Sequence, residues 1–301
     1  MTISVIIPTY NGKAKILGTI HALRKQSHTN FETIVVIDGS NDGTYDLLEA
    51  SNIDLPNFHI LNQDNKGRAG ARNAGVAKST GELLIFLDDD MEPIKELVSR
   101  HLQHHTQHPI SVLVGNQLER IEEMETDFQH FKSYLSRKWT AQTVTDDKDQ
   151  LKQPFITAAN FSIPHRLFEE LNGFDESMTD AEDRELAIRC FEKNIPIYFK
   201  PDILAWHHDL ITAKGYTKRL GEYQKATQQL KEMHPDYFAS QKNAPFSKFK
   251  QWIYVLSSQP VVVWLIDHFN IFLLFPKVIR YRYYELMVTG ISLRHQRLLK
   301  N

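Results

Sequence analysis

Short apolar runs alternate with helical patterns over the first hundred residues of this chain. The runs with strand-forming residues are Ile3–Ile7, Thr33–Ile37, His59–Leu61 and Leu83–Leu87. The helix-like stretches between them lie near Lys13–Lys25, Thr44–Ser51 and Gly70–Lys78. Such alternation predicts an α/β fold, with a mostly parallel central sheet flanked by helices. In sheets of this kind, ligands bind in the crevice beyond the carboxyl ends of the strands.

The segments that follow the four apolar runs are all polar. They are Pro8-Thr9-Tyr10-Asn11-Gly12, Asp38-Gly39-Ser40-Asn41-Asp42-Gly43-Thr44, Asn65-Lys66-Gly67-Arg68 and Asp88-Asp89-Asp90. Three adjacent carboxylates repel one another, and each is costly to bury without a partner. A divalent cation would use them, because hard cations bind carboxylate oxygens. A solvated acidic turn is the other interpretation, and the triplet alone does not decide between the two.

Two further residues stand near this expected crevice. Asp38 ends a predicted strand and begins a glycine-rich turn, where the backbone can approach a ligand closely. Arg72, on the following predicted helix, would supply a positive charge for a diphosphate. Taken singly, Asp38 is equally well a helix N-cap and Arg72 a surface residue.

The middle of the chain is helical and charged in pattern from residue 94 to residue 153. Within it we predict an edge strand at Val112–Gln117 and a mobile loop at Thr143–Lys152. Residues 154–210 read as a second half that completes the site. This half contains a helix that opens near Asp180 with two further acids, Glu182 and Asp183.

Several motifs in the right order resemble the family 2 glycosyltransferases with a GT-A type fold. The motifs are SVIIPTYN at 4–11, VVIDGSNDGT at 35–44, GRAGARNAG at 67–75 and GELLIFLDDD at 81–90. The resemblance continues through Gly173-Phe174-Asp175-Glu176, Glu182-Asp183 and Ala205-Trp206-His207. It implies a catalytic domain of residues 1–225 and leaves a helical extension of residues 226–301. The implied activity is inverting transfer of a sugar from a nucleotide diphosphate sugar, with UDP-sugars favoured, to an acceptor hydroxyl.

The resemblance also implies how the nucleotide is bound. Thr9 and Tyr10, with Pro8 beside them, match positions that contact the nucleobase. Asp38 matches the aspartate that hydrogen-bonds the base, commonly uracil. Arg72 lies where the family places a nucleotide contact.

The acidic triplet matches the family's DxD motif, which implies Mn²⁺ or Mg²⁺ as cofactor. Asp90 is the firmest metal ligand by this resemblance, and Asp88 is the other outer member of the motif. Asp88 and Asp89 are expected near the ribose and the sugar. His207 matches a histidine that adds a metal ligand in several members, although His208 is an alternative.

The family's general base is the aspartate of a Glu-Asp pair, here Asp183 beside Glu182. An acceptor hydroxyl is a poor nucleophile, so a carboxylate within reach must take its proton. The alternative for this pair is a helix N-terminus stabilised by acids through the dipole alone. Asn160 is similar to the family segment that faces the acceptor and donor sugars, or else it is an ordinary turn residue.

Two other features indicate structure rather than chemistry. Four histidines at helical spacing would share one face and could bind zinc, but a solvated helix face is the favoured interpretation. They are His101, His104, His105 and His108. The single cysteine, Cys190, sits in an apolar helical pattern and reads as a buried position.

Two rival functions remain open. A sugar-nucleotide-forming nucleotidyltransferase would carry a glycine-rich basic loop after the first strand, whereas Pro8–Gly12 has one glycine and no arginine. A dinucleotide-dependent oxidoreductase is disfavoured because the G-x-G-x-x-G motif is missing from this loop. The other rival is a non-catalytic nucleotide-sugar binder.

The C-terminal part differs in composition from the rest. Residues 252–276 are apolar and aromatic but are interrupted by polar groups, which disfavours a membrane-spanning helix. Residues 246–301 contain eight Lys/Arg and two Asp/Glu. This region predicts either peripheral contact with an anionic membrane, which would suit a lipid-linked acceptor, or a helical cap or homodimer interface.

The net charge and the N-terminal residues bear on nucleic-acid binding and on the location of the protein in the cell. The net charge of −2 gives no indication of nucleic-acid binding. The N-terminus opens directly with a predicted strand and has no signal-peptide pattern. We therefore expect a cytoplasmic enzyme, peripheral on the membrane if the C-terminal helices bind lipid.

Overall fold

The computed structural model describes residues 1–143, 149–241, 247–269 and 271–298. The predicted mobile loop at Thr143–Lys152 lies partly outside these ranges. The chain forms two compact units, one of residues 1–119 and 138–208 and the other of residues 120–137 and 209–301. The functional boundary at residue 225 stays a prediction.

The first unit is built on a mixed sheet that has eight strands in the described part of the chain. The strands are β1 (Ile3–Thr9), β2 (Glu32–Asp38), β3 (Phe58–Gln63), β4 (Leu83–Leu87), β5 (Met91–Pro93), β6 (Val112–Leu118), β7 (Asn160–Pro164) and β8 (Ile197–His207). Their order is β3-β2-β1-β4-β7-β6-β8-β5. Parallel pairing joins β1 to β2 and β4, β2 to β3, and β6 to β8. The other pairs are antiparallel, and this mostly parallel sheet confirms the predicted α/β class.

Helices connect these strands and form most of the second unit. Those that begin before residue 209 are α1 (Ile16–Leu23), α2 (Thr44–Ala50), α3 (Gly67–Lys78), α4 (Leu97–Gln107), α5 (Asp127–Thr143), α6 (His165–Glu170) and α7 (Glu182–Glu192). Those that follow are α8 (Ala213–Met233), α9 (Pro235–Ala239), α10 (Lys248–Ser257), α11 (Pro260–Phe269) and α12 (Lys277–Leu298). A short 3-10 helix, Ile271–Leu274, precedes α12.

The central strands are apolar on both faces because helices cover both. Val5 and Ile7 of β1 join one apolar cluster with α1, whereas Ile6 joins a second cluster with α3. In that second cluster Phe86 stacks on Phe161, with ring centroids 4.7 Å apart. Alternate residues of a strand point to opposite faces, so a strand buried on both faces reads as a continuous apolar run.

The predicted edge strand at Val112–Gln117 is in fact internal. The observed strand β6 lies between β7 and β8, and Val112, Leu113 and Val114 are fully buried. The prediction was wrong because its partners come from residues 160–164 and 197–207, which no local pattern identifies as neighbours.

The predicted solvated histidine face on α4 is also wrong for three of its four members. His101 and His105 are fully buried and His104 is nearly so, while His108 is exposed. Ser162 Oγ lies 2.7 Å from His101 Nδ1 and 2.8 Å from His105 Nε2. Hydrogen bonds of this kind compensate the cost of burying a polar ring.

The second unit has its own aromatic core. Phe128 and Phe131 of α5 pack with Tyr281 and Tyr284 of α12. Asp127 is buried beside them and accepts a hydrogen bond of 2.9 Å from Tyr284. Among the residues the structure describes, no helix combines the length and apolar character needed to cross a bilayer.

Candidate active site

The loops after β1 and β2 are tied together at the carboxyl edge of the sheet. Asn11 N donates to Ser40 Oγ at 2.9 Å, and Asn41 N donates to Asn11 Oδ1 at 3.0 Å. Gly12 is required here, because an added Cβ would stand 2.0 Å from Thr9 Oγ1. The loops after β1 and β2 therefore lie together at this edge.

The three aspartates of the triplet have three different sets of partners. Asp88 is the most exposed, at 34% of its side chain, and accepts a 2.6 Å hydrogen bond from Arg72. Asp89 is 8% exposed and accepts a 2.5 Å hydrogen bond from Thr9 Oγ1. Asp90 is 17% exposed and faces His207. The triplet is thus not a uniformly solvated turn.

Asp90 meets His207 because β5 pairs with the end of β8. In that antiparallel pair Met91 lies opposite His207, and His207 Nε2 is 3.4 Å from Asp90 Oδ1. Burial alone would raise the pKa of Asp90, but His207 and the charge of Lys15 outweigh it and hold the pKa well below its usual range. His208 instead directs its Nε2 to Glu92 Oε2, at 3.0 Å. His207, and not His208, therefore faces Asp90, and its role as a metal ligand stays a prediction.

The residues present fit a hard divalent cation. Asp90 Oδ1 is buried and accepts no hydrogen bond from the described residues, so it has unused capacity as a ligand. A carboxylate and an imidazole together suit Mn²⁺, and a carboxylate suits Mg²⁺. Within the described ranges no three His, Cys, Asp or Glu side chains are grouped to enclose an ion. The protein would thus provide part of the coordination sphere, and a bound ligand and water the remainder.

Lys15 is a member of this cluster that the sequence patterns did not single out. Its Nζ lies 2.8 Å from Asp89 Oδ1 and 3.3 Å from Asp90 Oδ2. Burial alone would lower the pKa of Lys15, but these two carboxylates raise it. The signal that could have found it is its place one residue before α1, in the loop that follows β1.

Arg72 connects the acidic triplet to the second predicted site. It is buried, and its guanidinium donates to Asp88 through NH2 and to Glu182 through NH1. Burial would lower the pKa of Arg72, but Asp88, Glu182 and Asp183 raise it above its ordinary value. The guanidinium also lies 5.8 Å from the ring centroid of Phe174. Arg72 thereby links β4 to the start of α7.

Asp183 lies in the first turn of α7, as predicted. Its Oδ2 accepts a 3.0 Å hydrogen bond from Ala158 N, and its Oδ1 accepts one from Arg184 N. Burial and the charge of Glu182 raise the pKa of Asp183 to about 7, although these two bonds and Arg72 act in the opposite direction. Ala181, which precedes the helix, has a φ of 60°. An alanine in the left-handed region is strained, and such strain concentrates at functional sites.

The predicted nucleobase contacts lie at the same edge. Asp38 Oδ1 accepts hydrogen bonds of 2.8 Å from Gln63 Nε2 and from Lys66 N. Its Oδ2 receives none from the described residues. Tyr10 is 55% exposed, whereas Thr9 is buried and its hydroxyl donates a hydrogen bond to Asp89. Pro8 is half-buried within β1.

Asn160 is placed differently from the other candidates. It begins β7 and is fully buried, and its Nδ2 donates to the backbone oxygens of Asn116 and Ile203 at 2.9 Å. Its Oδ1 lies 3.1 Å from His101 Nε2. The structure therefore commits this amide to internal hydrogen bonds, and its contact with a sugar stays a prediction.

The sequence and the fold of this chain are similar to those of known proteins. The sequence profile described as "Glycosyl transferase family 2" matches residues 4–171, more than half of the chain. The chain belongs to this family, and its first unit has the GT-A type glycosyltransferase fold.

Curated relatives are similar along much of this chain. The Bacillus subtilis glycosyltransferase YfnE is 34% identical, over 69% of this chain and 65% of that protein. The O-antigen chain rhamnosyltransferase RfbN of Salmonella typhimurium is 27% identical, over 73% of this chain and 68% of that protein. An uncharacterised glycosyltransferase of Haemophilus influenzae is 26% identical, and 62% of its length is covered. The chain thus spans less than two thirds of YfnE and of the Haemophilus protein.

Two solved structures share the fold. The mannosyltransferase PcManGT from Pyrobaculum calidifontis, in complex with GDP-Man and Mn²⁺, matches with a TM-score of 0.68 at 16% identity, over 99% of this chain and 88% of that chain. Staphylococcus aureus TarS 1–349, in complex with UDP, matches with a TM-score of 0.54 at 17% identity, over 100% of this chain and 91% of that chain. At these identities the likeness shows the fold alone.

Proposed function

We propose that this protein is a metal-dependent, inverting glycosyltransferase. It moves a sugar from a nucleotide diphosphate sugar, with UDP-sugars favoured, to a hydroxyl of a glycan or lipid-linked glycan. One observation carries the proposal. Asp90 Oδ1 is buried, accepts no hydrogen bond from the described residues, and lies 3.4 Å from His207 Nε2 at the carboxyl edge of the sheet.

The donor lies across this edge. Asp38 Oδ2 accepts a hydrogen bond from the nucleobase, and the exposed ring of Tyr10 covers the base. A carboxylate accepts a hydrogen bond from a base N–H, and the N3–H of uracil is such a donor, so Asp38 is compatible with a UDP-sugar. Family 2 membership and the glycosyltransferase relatives support a nucleotide sugar as the donor.

Asp90 and His207 hold Mn²⁺ or Mg²⁺, with Asp88 beside them. A cation bound there neutralises the charge that grows on the departing diphosphate. Arg72 holds Asp88 and Glu182 in place from within the protein. Asp89, anchored by Thr9 and Lys15, keeps the triplet in a single conformation near the ribose and the sugar.

Asp183 is the general base. It accepts the proton of the acceptor hydroxyl as that oxygen attacks the anomeric carbon from the face opposite the diphosphate, which inverts the centre in one step. Its pKa of about 7 matches this task, since a base works best when its pKa lies near the working pH. Backbone N–H groups of Ala158 and Arg184 fix its orientation.

Calorimetric titration with UDP, GDP and dTDP, each with and without Mn²⁺, tests the donor site. We expect UDP to bind tightly only with Mn²⁺, and Asp90→Asn to abolish that metal dependence. Asp54→Asn is the matched control, because this carboxylate is 86% exposed and pairs with Arg24 on the surface. Nucleotide binding without any metal dependence would overturn the proposed metal site.

Turnover separates transfer from the two rivals. A non-catalytic binder would bind UDP and Mn²⁺ in the same way but release no UDP from a UDP-sugar in the presence of acceptor. A nucleotidyltransferase would form a sugar nucleotide and pyrophosphate from a nucleoside triphosphate and a sugar phosphate. Release of UDP together with a glycosylated acceptor of inverted anomeric configuration is the expected result.

A further inference from the structure

The second unit exposes an apolar segment where its 3-10 helix leads into α12. In this segment, residues 273–279, every residue is exposed. Leu274 is 92% exposed, and Val278 is 67% exposed. Monomeric proteins seldom expose contiguous apolar surface of this kind unless it binds something.

The two preceding helices also expose apolar side chains. On α10, Trp252, Val255 and Leu256 are 62%, 44% and 58% exposed, and their spacing of three and four residues places them on one face. On α11, Val261 and Trp264 are 59% and 49% exposed and share a face in the same way. We call these residues, together with residues 273–279, the apolar face.

One of the two acidic residues of this C-terminal region, Asp267, has its side chain turned into the protein. The carboxylate of Asp267 on α11 accepts hydrogen bonds from Ala213 N at 2.7 Å and Lys214 N at 2.9 Å, at the start of α8. In contrast, Lys277 is exposed within residues 273–279. The apolar face is therefore accompanied by the exposed positive charge of Lys277, while the carboxylate of Asp267 is used internally.

Charge identifies the kind of surface that covers this face. Residues 246–301 contain six more Lys/Arg than Asp/Glu. The whole chain has a net charge of −2, so the remaining residues have a net charge of −8. Two copies of the C-terminal region would repel each other, which disfavours a dimer through this face. An anionic lipid surface attracts the same charges and accepts the apolar side chains.

We propose that the apolar face docks the second unit onto an anionic lipid bilayer. Residues 273–279 enter the headgroup and acyl boundary, and Trp252 and Trp264 lie at the interface, where indole rings are favoured. Lys277 pairs with lipid phosphate. This docking deepens the proposed function by bringing the enzyme to a surface that carries lipid-linked acceptors, but lipid binding itself requires neither donor nor metal.

Vesicle flotation of the full chain tests the proposal. We expect the protein to float with vesicles of phosphatidylcholine and phosphatidylglycerol, and less with phosphatidylcholine alone. The double variant Leu274→Glu with Val278→Glu should lower binding about tenfold or more, because charged side chains are costly in the bilayer. Ile110→Glu is the matched control, since Ile110 is a 70% exposed apolar residue of the first unit. Circular dichroism and Mn²⁺-dependent UDP binding verify that the variants are folded.

Fluorescence identifies which residues meet the lipid. Brominated phosphatidylcholine, mixed with phosphatidylglycerol, should quench the wild-type tryptophans, and Trp252→Phe with Trp264→Phe should remove most of that quenching. The proposal is overturned if the wild type does not float, or if the glutamate variant floats as well as the wild type. It is also overturned if the variant converts a dimer to a monomer in analytical ultracentrifugation while vesicle binding is unchanged. Failure of UDP binding in every variant, with flotation intact, would count against the proposed activity and not against lipid docking.

Discussion

His207 Nε2 lies 3.4 Å from Oδ1 of Asp90, although the two residues belong to distant parts of the chain. The contact exists because the three-residue strand β5 pairs antiparallel with the end of β8 and sets Met91 opposite His207. The backbone adds a second tie, since His208 N donates to Asp90 O at 3.0 Å. The acidic triplet is thereby aligned with an imidazole by strand pairing, and not by the conformation of a free loop.

Replacement of His207 tests its role as a metal ligand. We expect His207→Ala to weaken Mn²⁺ binding in the presence of UDP by at least about tenfold, since loss of even an outer-shell partner costs this much. Calorimetry or manganese electron paramagnetic resonance measures the affinity. His208→Ala is the control, because that imidazole faces Glu92. Equal losses in the two variants would contradict the assignment.

Replacement of Asp183 tests the general base. Asp183→Asn should lower kcat by about 10²–10⁴-fold and leave UDP binding unchanged, because only proton transfer is removed. Glu192→Gln, at the other end of α7, serves as control. A variant that loses UDP binding and turnover in parallel would indicate a structural role instead.

The pH dependence of the wild-type enzyme follows from the same residue. The base acts only when it is deprotonated, and the pKa of Asp183 is raised to about 7. We therefore expect kcat/KM to rise with pH and to level off above about 7. If kcat/KM changes by less than about one logarithmic unit between pH 5.5 and pH 8, a raised pKa at the base would be contradicted.

Lys15 should stabilise the metal-free protein. It neutralises Asp89, whose side chain is 8% exposed, so Lys15→Met leaves a nearly buried carboxylate without its cation. We expect a loss of about 1–3 kcal/mol in the free energy of unfolding, below the cost for a fully buried pair because Lys15 is 40% exposed. Urea unfolding without metal measures this loss, and added Mn²⁺ should reduce it. Lys13→Met, on the same loop, should change stability by less than about 0.5 kcal/mol.

The buried histidines should make the protein sensitive to acid. Burial lowers the pKa of His101 to about 4 and of His105 to about 3, so both are neutral in the folded protein near pH 7. The pKa of each histidine is lower in the folded protein than its value of about 6.5 in the unfolded chain. The free energy of unfolding is therefore highest above pH 6.5 and decreases as the pH falls towards the folded-state pKa. Each histidine should contribute a loss of about 2 kcal/mol between pH 7 and pH 5.

Chemical unfolding at the two pH values measures this loss. His105→Gln should make the decrease between pH 7 and pH 5 smaller than in the wild type, whatever its effect at pH 7. His21→Gln, on the exposed side of α1, should leave the decrease unchanged. An identical decrease in the His105 variant would show that other groups cause the acid sensitivity.

Strand positions were readable from the sequence because they depend on local composition. The run Leu83–Leu87 was predicted with the bounds it has, since a short continuous apolar run is typical of a strand buried on both faces. A helix was also predicted to open near Asp180, and the observed helix begins two residues later, at Glu182, with Asp183 in its first turn. The edge position of β6 was not, because sheet order depends on pairing between distant segments.

The sequence by itself determined the α/β class and the residue types that gather at the carboxyl edge of the sheet, and it predicts that edge as the site. The tertiary structure alone decided that Asp90 faces His207, that Lys15 joins the triplet, and that Arg72 is buried between Asp88 and Glu182. It also turned His101 and His105 of α4 inward onto Ser162. The physical reason is that apolar periodicity reports burial along one segment, whereas ion pairs and hydrogen bonds join segments whose proximity only the assembled sheet defines.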